Sequence, residues 1–135
     1  MRTLLIVAVG LAGCIEGEER PLVCTEDTGC DMGDVCASDD RCRPPSQVRP
    51  VTVSWTVGGS PATVTTCASV GRIAFGFGCR WGGFLSSEPI VCDTGQYVFD
   101  RLDLDCTEAS LGIDQVQVAT TTIDAQGTAR FDIQP

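Results

Sequence analysis

Nine cysteines in a 135-residue chain limit the folds that are open to it more than any other feature. Four of them recur every six residues within one stretch: Cys24, Cys30, Cys36 and Cys42. Between them only Met32, Val35 and Ala37 are apolar, so this cysteine module (residues 24–42) cannot be held together by a hydrophobic core. We therefore expect disulfides, of which four cysteines allow three pairings. A zinc site is the alternative, but the spacing is longer than in common zinc motifs and the chain has no His.

Residues 1–13 have the form of a secretory signal peptide. A basic start is followed by an apolar run from Leu4 to Gly13, which as a helix of about 15 Å is too short to span a bilayer. The sequence Leu11-Ala12-Gly13-Cys14 resembles the lipobox of bacterial lipoproteins. That resemblance implies cleavage before Cys14, lipidation of its thiol and a permanent membrane anchor. The alternative is an ordinary secreted protein whose signal ends near a cysteine.

The number of cysteines supports a special role for Cys14. Nine is odd, and an odd cysteine in an exported protein needs an explanation. Without Cys14, eight cysteines remain that can pair completely: Cys24, Cys30, Cys36, Cys42, Cys67, Cys79, Cys92 and Cys106.

Residues 14–23 are predicted to form a flexible acidic tether, because Glu16, Glu18 and Glu19 lie close together there. In lipoproteins generally, an Asp after the lipidated Cys favours retention in the inner membrane. Ile15 occupies that position, so the resemblance implies export to the bacterial cell envelope and anchoring in the outer membrane.

The cysteine module resembles the short four-cysteine repeats of bacterial surface lipoproteins and, more distantly, Dickkopf-type and EGF-like knots. The resemblance implies the pairs Cys24–Cys36 and Cys30–Cys42, with Gly33 at the turn between them. The acids of the module suggest a calcium loop as an alternative to a solvated face: Glu26, Asp27, Asp31, Asp34, Asp39 and Asp40. Their spacing does not match an EF-hand, and we expect neither a metal site nor a cofactor.

After the module, three prolines (Pro44, Pro45 and Pro50) predict a stiff linker over residues 43–50. Residues 51–135 then show the alternation of half-buried strands, most clearly from Val51 to Val57 and from Ile73 to Trp81. Further strands are predicted at four places: Ile90–Cys92, Tyr97–Leu102, Val116–Ile123 and Ala129–Ile133. A short helix is predicted between Ser60, as its N-cap, and Gly71. The predicted fold class is all-β, a small antiparallel sandwich with one short helix, preceded by the disulfide-bonded module.

The β domain resembles small Ig-like or transthyretin-like sandwich domains of bacterial surface lipoproteins. The segments that carry this resemblance are Val51 through Trp55-Thr56 and Gly59 to Thr66-Cys67, Val91-Cys92, Phe99-Asp100-Arg101-Leu102, and Asp124 to Gly127. From this resemblance we expect Cys67 to pair with Cys92, which leaves Cys79 and Cys106 as the remaining pair.

Composition excludes several kinds of chemistry. The chain has no His, Lys or Asn, so it has no Ser–His or Cys–His pair, no Schiff-base lysine and no phosphate-loop lysine. Its net charge of −9 argues against nucleic acid as a partner.

The remaining candidates for catalysis are four acids, two of which could form a glycosidase-type pair: Asp100, Asp103, Asp105 and Asp114. Three aromatic residues are candidates for sugar stacking: Trp55, Trp81 and Tyr97. Acids at strand edges are usually solvated and aromatic residues at strand spacing are usually core, so we assign no catalytic residues.

We expect a lipid-anchored, non-enzymatic binding or structural module with a protein or glycan partner. The alternatives are an exported protease inhibitor or ligand-capture protein and a carbohydrate-active enzyme.

Overall fold

The structure is a computed structural model that describes residues 23–31, 33–86 and 89–135. The predicted signal peptide (1–13), the lipidation site Cys14 and all of the tether except Val23 lie outside these residues.

Short strands and 3-10 turns make up the regular structure of the described residues. The strands are β1 (Val35–Cys36), β2 (Cys42–Arg43), β3 (Val48–Val57), β4 (Ser60–Pro61), β5 (Ile73–Cys79), β6 (Gly82–Leu85), β7 (Gln96–Asp103), β8 (Cys106–Ile113), β9 (Val116–Thr122) and β10 (Thr128–Ile133). The 3-10 turns lie at Asp27–Gly29, Pro45–Gln47, Thr66–Ser69 and Cys92–Thr94. The all-β prediction is confirmed, and no helix in the described ranges is longer than four residues.

Two four-stranded sheets form the sandwich, and β1 and β2 form a separate hairpin in the cysteine module. In one sheet, β3 pairs with β7 and β4 on one side and with β10 on the other. The other sheet has the order β6-β5-β8-β9. All ladders are antiparallel except that of β3 with β10, which is parallel.

The core lies between the two sheets, and Phe75 of β5 is at its centre with no exposed surface. Its ring contacts Trp55, Phe99 and Phe131, with centroid distances of 5.4, 6.5 and 5.7 Å. The predicted alternation of β3 is observed, because Val51, Val53, Trp55 and Val57 are buried and the residues between them are not. The Trp55 indole Nε1 donates to the Cys92 carbonyl at 2.7 Å, which satisfies the one polar atom of this side chain.

The helix predicted from Ser60 to Gly71 is reduced to the 3-10 turn Thr66–Ser69. Ser60 is not an N-cap but part of β4, which pairs with the end of β3 across Gly58 and Gly59. Both glycines have positive φ, as this tight hairpin requires. Thr63 and Thr66 bond to each other's backbone amides through their hydroxyls, at 2.8 and 3.2 Å. This reciprocal pair has the form of a capping box, so the helical turn starts at Thr63 and not at Ser60. The turn ends at Val70, where the backbone is extended.

The strand predicted at Ile90–Cys92 is also wrong. Ile90 forms only an isolated bridge to Ile73, and Cys92 begins a 3-10 turn that ends at Gly95, which has a positive φ.

Residues 43–50, which were predicted as a linker, contain regular structure. Arg43 belongs to β2, a 3-10 turn occupies Pro45–Gln47, and β3 begins at Val48 rather than at Val51. Pro50 sits where the register with β7 shifts between Arg49 and Val51. Because proline has no amide hydrogen to donate, an irregularity of this kind is where a strand tolerates it.

Candidate functional site

The cysteine module is held by the disulfides Cys24–Cys36 and Cys30–Cys42, the pairs that the repeat resemblance implied. Among its described residues only Cys24 and Ala37 are buried apolar residues, so covalent bonds replace a core. The sulfurs of Cys24, Cys30 and Cys42 lie within 4.8 Å of one another. Within the described part of the chain, no acidic residues form a comparable cluster of possible metal ligands.

The sandwich contains the other two disulfides, Cys67–Cys92 and Cys79–Cys106. The first joins two 3-10 turns, and the second joins β5 to β8. These are also the pairs expected from the sequence.

A buried polar contact fastens the module to the sandwich. We call its members the seam: Asp39, Arg43, Trp81 and Asp103. The Arg43 guanidinium contacts Asp39 at 2.9 Å through Nη2 and Asp103 at 2.6 Å through Nη1. The side chain of Asp39 is 3% exposed and that of Asp103 is 7% exposed, so two carboxylates that are removed from water share the single positive charge of Arg43.

Asp103 has further partners. The Trp81 indole donates to its Oδ2 at 3.1 Å, and the backbone amide of Asp105 donates to its Oδ1 at 2.8 Å. The guanidinium groups of Arg41 and Arg43 lie over the Trp81 ring, 4.5 and 5.2 Å from its centroid. Trp81 therefore stacks on Arg41 of the module and on Arg43, which directly follows the module, and is not an open platform for a sugar.

A second contact joins the module to the edge of β7. The Asp27 carboxylate accepts from the guanidinium of Arg101 and, at 2.9 Å, from the backbone amide of Cys36. The Ser38 amide donates to the Arg101 carbonyl at 2.9 Å. The seam and this contact together place the module beside β7.

An open cleft of about 630 Å³ remains between the module and β7, and we call it the β7 cleft. Residues 25–27, 36–38 and Asp40 line it on the module side, and residues 97–101 of β7 together with Ser86 line it on the sandwich side. Tyr97 and Val98 are 42% and 44% exposed there. No sequence pattern pointed to this cleft, because its two walls are distant in the chain.

The four acids considered for a glycosidase-type pair do not form one site, although Asp105 lies beside Asp103 and donates its backbone amide to it. Asp105 immediately precedes β8 and Asp114 immediately follows it, so the length of an eight-residue strand, about 25 Å, separates them. Asp103 is a member of the seam, and Asp100 lines the β7 cleft. Of the three aromatic candidates, Trp55 is in the core and only Tyr97 is exposed.

The pKa of Asp27 is lowered from its ordinary value, first by the hydrogen bond from Arg101 and then by that from the Cys36 amide. The pKa of Asp132 is lowered by the Gly59 amide and the Thr56 hydroxyl. A carboxylate with a depressed folded-state pKa stabilises the fold above its unfolded pKa, about 4. That contribution is lost as the pH falls through the folded-state value.

We therefore expect Asp27→Asn to flatten the dependence of the unfolding free energy on pH below about pH 4. The Cys36 amide resonance should titrate in the unmodified protein and stay constant in the variant. Asp132→Asn is the matched control, since it should flatten the same slope while the Cys36 titration remains. An Asp27→Asn protein with the original slope and the original Cys36 titration would contradict this assignment.

No protein-family model, curated protein or solved structure matches this chain. Among the described residues, no helix is long and apolar enough to cross a membrane.

Proposed function

We propose that this chain is a lipid-anchored lipoprotein of the bacterial cell envelope, in the outer membrane, whose folded part is a non-enzymatic binding module. The observation that carries the anchor is the lipobox-like sequence Leu11-Ala12-Gly13-Cys14 after a short apolar run. Cleavage before Cys14 would leave that residue at the new N-terminus, with the acidic tether between the lipid and the module.

The pairing of the other cysteines supports the anchor. The eight cysteines from Cys24 to Cys106 pair among themselves, so none of them needs Cys14 as a partner. Disulfides in this number are typical of an exported protein rather than of a cytosolic one.

The fold supports a binding module of the Ig-like or transthyretin-like kind. A two-sheet sandwich is consistent with both, and function in such folds depends on the surface of the particular chain. Here the β7 cleft is a concave surface formed jointly by the module and the sandwich. It favours ligand capture by the assembled protein over catalysis by the separated acids.

The experiment is an intact mass of the membrane-extracted protein, expressed in a bacterium that processes lipoproteins. We expect a chain that begins at Cys14, carries acyl mass and gains about 8 Da on reduction of its four disulfides. The matched control is Cys14→Ser, which should carry no acyl mass and leave the membrane fraction. Unmodified protein with an N-terminus other than Cys14 would reject the anchor and leave a soluble exported protein.

A further inference from the structure

We propose that the β7 cleft binds an extended, positively charged segment of a partner protein, which adds to the free edge of β7 as a further strand. This inference deepens the proposed binding function and rests on it. It names the site, the kind of partner and the mode of contact.

Backbone direction in β3 shows which groups of β7 face the cleft. The Trp55 amide donates to Gly95 on the β7 side, whereas the Thr52 amide donates to Gly127 on the β10 side. Odd-numbered residues of β3 around Val53 therefore point their amides and carbonyls toward β7. Val53 is opposite Tyr97 and Thr52 is opposite Val98. In an antiparallel ladder this directs the backbone groups of Val98 away from β3.

No described residue forms a backbone hydrogen bond with Val98 on the outward edge of β7. Within the described residues β7 forms a ladder with β3 alone. One bond on the outer side is already made, by the Ser38 amide to the Arg101 carbonyl. An incoming strand that bonds to Val98 would continue along the same edge, toward the N-terminal end of β7. Strand addition of this kind uses main-chain bonds for affinity and side-chain contacts for specificity.

The acidic lining of the β7 cleft favours a positively charged partner. Four acids line the cleft (Glu26, Asp27, Asp40 and Asp100), and Arg101 is the one cation among its described lining residues. Asp27 is paired with that Arg101, which leaves Glu26, Asp40 and Asp100 without an ion-pair partner among the described residues. An extended segment with Lys or Arg at alternate positions would match this wall.

The same charge argues against the chain's own tether as the occupant, because Glu16, Glu18 and Glu19 would face acids.

The test uses the complete disulfide-bonded chain from residue 15 onward, without lipid, and a labelled peptide that alternates lysine with valine. We expect this peptide to bind and to slow hydrogen exchange of the Val98 amide. Val98→Pro should weaken binding about tenfold, because it removes an outward amide without removing a bond to β3. A triple variant, Glu26→Gln with Asp40→Asn and Asp100→Asn, should also weaken binding about tenfold at low salt. It keeps the inference testable if Val98→Pro fails to fold.

Glu108→Gln is the matched charge control, because Glu108 is an exposed acid of β8 outside the β7 cleft. It should leave binding unchanged. A peptide with glutamate in place of lysine, and one with N-methylated backbone amides, should not bind. The inference would be overturned by equal binding of the triple variant and the unmodified protein, by protection of β9 amides instead of Val98, or by no binding of the lysine peptide. None of these results bears on the intact mass, so the lipid anchor is tested separately.

Discussion

Arg43→Met is expected to lower the free energy of unfolding by about 3 to 5 kcal/mol, because it leaves the buried Asp103 without a cation and leaves the buried Asp39 only Arg41, 3.8 Å away. Asp39 and Asp103 both contact this guanidinium, and their side chains are almost fully removed from water. Chemical denaturation followed by tryptophan fluorescence measures the loss. Trp81 reports on this loss directly, because Arg41 and Arg43 lie over its ring and its indole donates to Asp103.

Arg41→Met is the control for this prediction. Arg41 also lies over Trp81, but its side chain is 41% exposed and its nearest contact to Asp39 is 3.8 Å. Its loss should cost less than about 1 kcal/mol. Adding Asp103→Asn to Arg43→Met should restore part of the stability, because it removes one uncompensated charge and keeps an acceptor for the Trp81 indole. A loss below 1 kcal/mol for Arg43→Met would show that the two carboxylates are not buried as described.

The second large effect is expected from Cys24→Ala combined with Cys36→Ala. The disulfide closes a loop of 12 residues and contributes about 3 kcal/mol on the chain-entropy model. The module has almost no buried apolar surface to offset that loss. We therefore expect its amides to exchange at the rate of an unfolded chain while β3, β5 and β8 stay protected. Hydrogen exchange followed by NMR measures both regions in one experiment.

Removing the disulfide Cys67–Cys92 instead should destabilise the sandwich and not the module. It closes a loop of 25 residues in the sandwich, so the sandwich should lose stability while the module keeps its own disulfides. Full protection of the module amides in the Cys24→Ala, Cys36→Ala protein would contradict the account of a module held by its disulfides.

Local patterns were sufficient for the parts of the fold that depend on one segment. The alternation in Val51–Val57 predicted a half-buried strand because side chains of a strand point to opposite faces in turn, and β3 has this arrangement. The same reasoning failed for β8, where Thr107, Glu108 and Ser110 lie among few large apolar residues. Its burial comes from its position between β5 and β9, which is a property of the whole sheet.

The seam depends on contacts between residues that are far apart in the chain, and the sequence alone does not show such contacts. Arg43 and Asp103 are sixty positions apart, and each alone has the appearance of a solvated charge. Asp103 was considered as a catalytic acid or a solvated edge residue, but the structure buries it between Arg43 and the Trp81 indole. Asp39 Oδ1 and Arg43 Nε have no hydrogen-bond partner among the described residues. A buried ion pair with unsatisfied atoms is a weak source of stability, so we attribute to the seam the positioning of the module rather than a net stabilisation of the fold.

The cysteine module and the sandwich form one unit, with the β7 cleft between them. Backbone ¹⁵N relaxation tests it most directly, by comparing the rotational correlation time of residues 24–42 with that of strands β3, β5 and β8. We expect the same correlation time for both, and a shorter one for the module in Arg43→Met. A shorter correlation time for the module in the unmodified protein would show that it moves independently, and would contradict both the seam and the cleft.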